Sequence, residues 1–449
     1  MNLRSFTRLY RLVLSFAWIV AGEGLAAAAA SGSASPVGWA WVGGITEADA
    51  VITARLESEA VAGLRIGEST TTLAPALTAP MDDGVLHRFH VAGLAPDTVY
   101  PYRFVDALGK TLDDEARSFR TFPEPGNPTS FRFVASSCAR GMNSPVFTAA
   151  LHQNARFFLH TGDFHYHDIA TNRVEIFRTA YNSHLSAPRL RTMLARLPLL
   201  YQWDDHDFGP NDSDRTSPSR EASLLNFRQL VPHHALTVGT GPLAPTDQAF
   251  SVGRVRFILS DLRSERDPAA RRMMSAEQDT WFRKQLIDAR DAGAPLIFWV
   301  SSVPWNGNPY PSDRWQGYAE HRAEIADFIK DNGLAGRVAI LSGDAHMTGI
   351  DDGTNTDFAT GGGAPIRVFQ AGPIANRGSY KAGPYSHGAR WISGYNDMLH
   401  YFGLVEVNDD GRTVRVKWSG RQGADGVGDE VLVSEREPLI PIEFEFTAP

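Results

Sequence analysis

The stretch LPLLYQWDDHD, at residues 197–207, joins a short apolar run directly to four ionisable side chains. Similar runs end in polar residues in FRFVASSC at 131–138, ARFFLHTGD at 155–163 and RVAILSGDAH at 337–346. Short, almost continuous apolar runs indicate strands that are buried on both faces, and longer segments that suit helices separate several of them. The pattern predicts an α/β domain with a largely buried central sheet at residues 130–449.

Residues 36–124 show a different pattern. Short stretches in which apolar and polar residues alternate are separated by turns that contain Gly, Pro and Asp. The sequence GLAPDTVYPYRF at 93–104 is similar to the end of a fibronectin-III or immunoglobulin-like module. This pattern predicts a small all-β sandwich ahead of the α/β domain. PEPGNPTS at 123–130 is the expected linker.

Residues 1–34 have the pattern of a secretory signal peptide. Three arginines precede an apolar run from Leu12 to Val20, which small residues suited to cleavage follow. An uncleaved anchor is the alternative, but Glu23 leaves the apolar stretch short of the roughly 20 residues that a membrane span needs. We expect a periplasmic or secreted protein whose mature chain has no integral membrane segment.

The charge distribution argues against a nucleic-acid partner. The chain has 51 acidic and 43 basic residues, and the basic ones are scattered rather than clustered. Binding to a phosphate backbone needs clustered Lys and Arg. The single cysteine, Cys138, can form no disulfide within the chain. Such a thiol is either inert in a core or used for chemistry.

The apolar runs end in side chains that metal sites use. Because the carboxyl ends of parallel strands meet at one edge of a sheet, these positions are expected to share a pocket. Thiolate, phenolate and imidazole favour a transition metal, whereas carboxylates and Asn favour Ca²⁺ or Mg²⁺, so the mixture predicts two different metals. The candidates are Cys138, Asp163, Tyr166, Asp204, Asp205, His206, Asp344 and His346.

Each candidate also has an ordinary structural explanation. Cys138 could be a buried thiol, Asp204 a turn residue, and Tyr166 or His346 a hydrogen-bonded polar side chain. The order of the motifs favours the metal site, because a strand-end Cys, G-D-x-x-Y, W-D-D-H-D and S-G-D-x-H each follow an apolar run.

In this order the motifs resemble those of the metallophosphoesterases, with DFHY at 163–166, WDDHD at 203–207 and SGDAH at 342–346. The Ser-Cys pair after the first strand, in place of the usual D-x-H, resembles the PhoD-type alkaline phosphatases. The resemblance covers nearly the whole mature chain. It implies a four-layer αββα metallophosphoesterase domain behind an immunoglobulin-like module. It also implies Fe³⁺ with Ca²⁺ as cofactors and hydrolysis of phosphomonoesters and phosphodiesters under alkaline conditions.

The resemblance also implies roles for single residues. Cys138, Asp163 and Tyr166 would bind the iron, with His346 as a further candidate. Asp163 would bridge to the calcium, and other divalent metals are the alternative. The remaining calcium ligands would be Asp205, Asp344 and Asn211.

The catalytic residues follow from the same motifs. His206 would contact the phosphate and protonate the leaving alkoxide, and Asp207 would orient its imidazole. Arg140 could contact the substrate phosphate bidentately or form only an exposed salt bridge. SDLRSER at 260–266 is expected to form a structural ion-pair network, and packing is the default role of Trp315.

The chain departs from the family pattern in several places, and one is a signal region without the adjacent arginines of the twin-arginine export route that the family usually uses. His167 stands where the family usually has Glu, so that His165 and His167 could bind metal or line the mouth of the site. FWVSSVPW at 298–305 carries no His, which fits an oxygen-bound second metal better than two zinc ions. Two loop-like stretches, 359–365 and 372–389, could be connections or a rim over the site.

The favoured hypothesis is an exported phosphatase that hydrolyses small-molecule or lipid phosphate esters through a metal-bound hydroxide. A phosphodiesterase or phospholipase-like enzyme for a larger substrate is the second hypothesis. A non-catalytic calcium-binding adhesion protein is the alternative from another class.

Overall fold

The computed structural model describes residues 36–57, 61–379, 381–390, 398–423 and 441–447. The expected signal peptide therefore lies outside the described residues. Among the residues that are described, no helix is long and apolar enough to cross a membrane.

The N-terminal region is all-β, as its turn-rich pattern predicts. Its strands are β1 (Val37–Gly43), β2 (Ala50–Leu56), β3 (Val61–Ile66), β4 (Leu77–Met81), β5 (Gly84–Val91), β6 (Val99–Asp106) and β7 (Arg117–Arg120). They form two antiparallel sheets with the orders β1-β2-β5-β4 and β3-β6-β7. Side chains from both sheets, such as Phe89 and Phe104, pack in one core.

Strand β1 also packs against the rest of the molecule. The buried indole of Trp41 donates its Nε1–H to the carbonyl oxygen of Leu199 at 2.8 Å, and Trp39 donates to Asn182 Oδ1 at 2.8 Å. Ser35–Pro449 accordingly cluster as one compact unit. The predicted boundary between residues 36–124 and 130–449 stays a prediction.

The remaining elements follow the linker. The strands are β8 (Phe131–Ser136), β9 (Phe158–Thr161), β10 (Leu199–Gln202), β11 (Gln248–Val252), β12 (Val255–Ser260), β13 (Leu296–Ser301), β14 (Val338–Ser342), β15 (Thr348–Asp351), β16 (Arg367–Gln370), β17 (Asn376–Arg377), β18 (His387–Arg390), β19 (Met398–Leu399), β20 (Tyr401–Asp409), β21 (Thr413–Gln422) and β22 (Pro441–Thr447). The helices are α1 (Pro145–Leu151), α2 (Val174–Leu185), α3 (Pro188–Leu194), α4 (Asp205–Phe208), α5 (Arg220–Leu230), α6 (Ala276–Asp291) and α7 (Ala319–Asp331), with a 3₁₀ turn at Trp315–Tyr318.

Two mixed sheets face each other in this second region. Their strand orders are β10-β9-β8-β20-β21-β22 and β11-β12-β13-β14-β16-β15-β18. Strands β8, β9 and β10 are parallel to one another in the first sheet. Strands β12, β13, β14 and β16 are parallel to one another in the second sheet. The ring centroid of Phe133 on β8 lies 5.5 Å from those of Phe257 on β12 and Phe298 on β13, which places aromatic rings between the sheets.

Helices cover the outer faces of both sheets. Phe282 of α6 packs on Trp299 of β13 with ring centroids 4.6 Å apart, and Phe147 of α1 packs on Phe158 of β9 at 6.1 Å. The order helix, sheet, sheet, helix confirms the predicted four-layer αββα architecture.

Helix α7 illustrates how the sequence specifies these outer layers. Ile325 and Ile329 are buried on one face, and Phe328 beside them is partly buried. The chain then reverses at Gly333, whose φ of 67° is a conformation that favours glycine, and the N–H groups of Gly333 and Leu334 bond to carbonyls of the last turn.

Candidate metal centre

The carboxyl ends of β8, β9, β10 and β14 bring the predicted ligands together. The turns after three of these strands hold four of the predicted ligands in the left-handed region, with φ between 49° and 61°: Cys138, Asp163, Asp344 and His346. This conformation is uncommon for residues other than glycine and concentrates at functional sites.

A glycine allows the two sheets to approach each other at this edge. A Cβ atom on Gly343, after β14, would lie 2.6 Å from the carbonyl oxygen of Thr161 and 2.9 Å from that of Ser302. Thr161 ends β9 and Ser302 follows β13, so any larger residue would force the backbones apart. The closeness of the ligand-bearing turns therefore depends on Gly343.

One side of the site contains the ligand types that suit a transition metal. The ligand atoms of Cys138, Asp163 and His346 all lie within 4.8 Å of one another. The Tyr166 hydroxyl lies 2.8 Å from Asp163 Oδ2 and 3.1 Å from His346 Nε2. The predicted iron ligands thus share one small volume.

The backbone fixes the orientation of the His346 ring. Its Nδ1 lies 2.9 Å from the carbonyl oxygen of Arg377, an acceptor, so Nδ1 carries the proton. Nε2 is then left with its lone pair, which is the form that a ligating imidazole needs.

The other side of the site is rich in carboxylates. Asp163 and Asp205 group with His206, and Asp163 also groups with Asp204 and Asp344, in each case with ligand atoms within 4.8 Å. Asp163 is common to these groups and to the thiol-containing one. It therefore occupies the position that a carboxylate shared by two metals would take.

The electrostatics fit bound cations. Burial and the neighbouring carboxylates of Asp205 and Asp204 raise the pKa of Asp163 well above its usual range. Burial and the charge of Asp163 likewise raise the pKa of the Cys138 thiol and of the Tyr166 phenol. Asp163 Oδ1 and Asp204 Oδ2 are buried without a hydrogen-bond partner in the described structure. Cations would compensate these buried anionic groups, which would otherwise be costly.

Arg263 supplies, from the protein interior, part of the positive charge that compensates these carboxylates. Its side chain is fully buried, and it contacts Asp204, Asp313 at 3.1 Å and Asp205 at 3.7 Å. Burial alone would raise the pKa of Asp205, but Arg263 and other neighbours lower it below its usual range. The structure thus agrees with the ion-pair role expected for SDLRSER.

Two further cations were missed from the sequence. Arg314 Nε donates to Asp344 Oδ2, and Lys381 Nζ donates to Oδ1 of the same carboxylate at 2.9 Å. Lys381 lies in the stretch 372–389, which therefore borders the site as the rim hypothesis supposed. The stretch 359–365 instead packs on α7, where Asp327 accepts from the backbone and side chain of Thr360.

The structure corrects the partner expected for His206. The Asp207 carboxylate faces the backbone, where it accepts from the N–H groups of His165 and Asp204 at 3.0 and 3.1 Å. Asp204 is the N-cap of α4, and Asp207 closes the capping box at its third position. The carboxylate beside His206 is that of Asp168, with Oδ1 2.5 Å from Nδ1.

His206 is further positioned by Tyr166, whose ring centroid lies 4.1 Å from that of the imidazole. Asp168 follows Tyr166 by two residues, so the G-D-x-x-Y turn supplies both neighbours of His206. The nearness of Asp168 to this motif is the sequence signal that could have identified it.

Four other candidates lie outside the cluster of ligand atoms. Arg140 and Asn211 are exposed, and no side-chain hydrogen bond within the described residues ties either to the site. Next to Asn211, the backbone N–H of Asp212 donates to Asp205 Oδ2 at 2.6 Å. His165 is buried edge-on against Tyr181, at 5.0 Å between ring centroids, and His167 is exposed. Trp315 packs among buried tryptophans, as expected.

Comparison with known proteins agrees with this geometry. The sequence of residues 241–418 matches the family model of PhoD-like phosphatases. Residues 241–418 are therefore similar to a PhoD-like phosphatase domain. The matched residues include Arg263, Asp344 and His346, whereas Cys138 and Asp163 precede them.

Relatives extend the similarity beyond the matched residues. Alkaline phosphatase D of Bacillus subtilis (strain 168) is 26% identical over 317 residues, which cover 58% of this chain and 54% of that protein. The chain thus aligns with about half the length of this curated relative. The family match and this relative confirm the resemblance inferred from the motifs.

Solved structures share the fold. A structure of PhoD aligns with a TM-score of 0.68 at 17% identity, covering 93% of this chain and 91% of that chain. A purple acid phosphatase from yellow lupin (Lupinus luteus) seeds aligns with a TM-score of 0.60 at 12% identity, covering 91% and 73%. These alignments confirm the metallophosphoesterase-like fold.

Proposed function

We propose that this protein is an exported, metal-dependent hydrolase of phosphomonoesters and phosphodiesters. In this proposal iron(III) binds among Cys138, Asp163, Tyr166 and His346, and calcium binds on the carboxylate side of Asp163. The observation that carries the proposal is the convergence of these ligand types on one buried carboxylate with an unpartnered oxygen.

The chemistry divides between the cofactors and the chain. Two cations in this cluster would supply Lewis acidity toward the phosphoryl group and toward the attacking water. The turns at the strand ends bring the ligand side chains together, and the buried Arg263 balances part of the charge of the carboxylates. His206 is held at Nδ1 by Asp168, which leaves Nε2 to carry a proton to the leaving oxygen.

The test is hydrolysis of an aryl phosphomonoester, an aryl phosphodiester and a phospholipid by the purified protein, with elemental analysis of the same sample. We expect bound iron and calcium, turnover of the aryl esters, loss of turnover on chelation, and recovery when the metals are restored. Turnover that persists in metal-free protein would refute metal dependence. Preference for the phospholipid would favour the alternative of a phospholipase-like enzyme for a larger substrate.

Export is part of the same proposal and has its own test. Arginines ahead of the apolar run and small residues after it support cleavage near residue 34. The intact mass of the protein recovered outside the cytoplasm should match a chain that lacks this segment. A full-length mass in the cytoplasmic fraction alone would contradict export.

A further inference from the structure

Arg314 and Lys381 are positively charged residues outside the sequence motifs, so the motifs assign them no role in the reaction. Both donate to Asp344, so that the two oxygens of this predicted calcium ligand each meet a positive side chain. Arg314 Nη1 also lies 3.4 Å from Asp313 Oδ1, so the two cations are matched in charge by Asp344 and Asp313.

These contacts are not ordinary surface ion pairs. The side chain of Asp344 is only 6% exposed, whereas those of Arg314 and Lys381 are 17% and 30% exposed. The two cations therefore lie between the buried carboxylates and solvent, unlike the fully buried Arg263. Partial burial weakens solvent screening, so their charges act more strongly than charges on an open surface.

Both side chains have donors to spare. Within the described residues Lys381 donates to Asp344, and its ammonium has three N–H donors. Arg314 donates through Nε to Asp344, and one terminal nitrogen bonds to the Ser312 hydroxyl and lies 3.4 Å from Asp313, while the other has no partner among the described residues. An anion that enters the site from solvent would meet these donors.

We propose that Arg314 and Lys381 bind the non-bridging oxygens of the substrate phosphate and make the site prefer phosphomonoesters to phosphodiesters. This inference rests on the proposed function. A monoester dianion offers one more charged oxygen than a diester, and charge-assisted hydrogen bonds to oxyanions are the strong ones. Removing one of the two cationic side chains should therefore lower kcat/KM for the monoester more than for the diester.

The experiment compares kcat/KM for an aryl phosphomonoester and for the diester with the same aryl leaving group. The variants are Lys381→Met and Arg314→Gln, with Lys381→Arg as the charge-preserving variant and Lys110→Met, at an exposed position, as the matched control. Iron and calcium content is measured for every variant, and binding of inorganic phosphate is measured by calorimetry.

We expect Lys381→Met and Arg314→Gln to lower the monoester-to-diester ratio of kcat/KM by about tenfold and to weaken phosphate binding, as loss of a charge-assisted hydrogen bond predicts. Metal content, Lys381→Arg and Lys110→Met should remain close to the wild type. Equal losses for both esters, or no loss, would overturn the preference while leaving the hydrolase proposal intact. A metal-loaded wild type that hydrolyses neither ester would overturn the proposed function and this inference with it.

Discussion

Asp163 links the two halves of the site because its carboxylate belongs to both the thiol-containing and the carboxylate groups of ligand atoms. Its Oδ2 lies near Cys138 and Tyr166, while Oδ1 is buried without a partner in the described structure. A metal bound on one side of Asp163 would therefore change the environment of a metal on the other side through this shared carboxylate. The two predicted metals should behave as a coupled pair.

The role of Tyr166 gives a visible test of the iron assignment. A phenolate bound to ferric iron should produce a charge-transfer absorption band, so we expect purified wild-type protein to be coloured. Tyr166→Phe removes the phenol while keeping the ring that contacts His206, and it should lose both the band and turnover. The measurement is a visible spectrum with an activity assay. A colourless, fully active wild type would contradict iron as the cofactor.

Asp168 should act by positioning His206. Asp168→Asn keeps the size of the side chain but removes the charge beside Nδ1, and we expect kcat to fall about 10–100-fold, as for other supporting carboxylates. The loss should be larger for an alkyl phosphate than for an aryl phosphate, because a poor leaving group depends more on protonation. The measurement is kcat for both esters.

The comparison for this test is Asp207→Asn. Its carboxylate caps α4 rather than touching His206, so the expected effect is lower stability without a dependence on the leaving group. If Asp207→Asn and not Asp168→Asn showed that dependence, the assignment of the positioning carboxylate would be wrong.

The sequence predicted the clustering of those side chains that directly follow a strand. Cys138, Asp163 and Asp344 have this property, since strand ends converge whatever the intervening loops do. Asp168 and Lys381 escaped prediction because their positions depend on how loops fold back over the sheet edge.

Among the structural elements, the turn after β14 is the most sensitive to substitution. Gly343→Ala would place a methyl group against the Thr161 and Ser302 carbonyls, and we expect a loss of about 1–3 kcal/mol in the free energy of unfolding. Metal binding should weaken as well, because the turns that carry the ligands would move apart. Denaturant unfolding and elemental analysis measure the two effects.

Gly336→Ala is the matched control for this prediction. A Cβ at Gly336 would meet nothing within 4 Å, and this glycine also lies just before β14. We expect this variant to keep its stability and its metals. Equal stability and metal content of Gly343→Ala and Gly336→Ala would show that the two sheets do not need close contact at Gly343.

Element types were largely predictable, whereas sheet order was not. Apolar runs predicted β8, β9, β10 and β14. The placement of β20 beside β8 depends on pairs such as Val134 with Leu404, which are distant in sequence. Such pairings are set by the packing of the whole core rather than by local patterns.

For the whole molecule, the N-terminal sheets should contribute to the stability of the metal-binding region. Trp41 is fully buried against β10 and stacks on Phe164, the neighbour of Asp163. Trp41→Ala should lower the free energy of unfolding by about 3–5 kcal/mol and keep a single cooperative transition. Denaturant unfolding followed by far-UV circular dichroism and by activity measures this.

The control is Val99→Ala, because this side chain is 57% exposed on β6. It should unfold like the wild type. The contrary result would be that Trp41→Ala unfolds in two transitions and loses activity at the same denaturant concentration as the wild type. The N-terminal sheets and the α/β region would then be independent domains.

If a metal pair centred on Asp163 carries out ester hydrolysis, Asp163→Asn should lose aryl phosphate turnover, measured after incubation with iron and calcium. We predict a loss greater than the roughly 10–100-fold typical of a supporting residue, while Asp291→Asn, at an exposed aspartate of α6, remains at the wild-type rate. Wild-type turnover by Asp163→Asn would contradict the account.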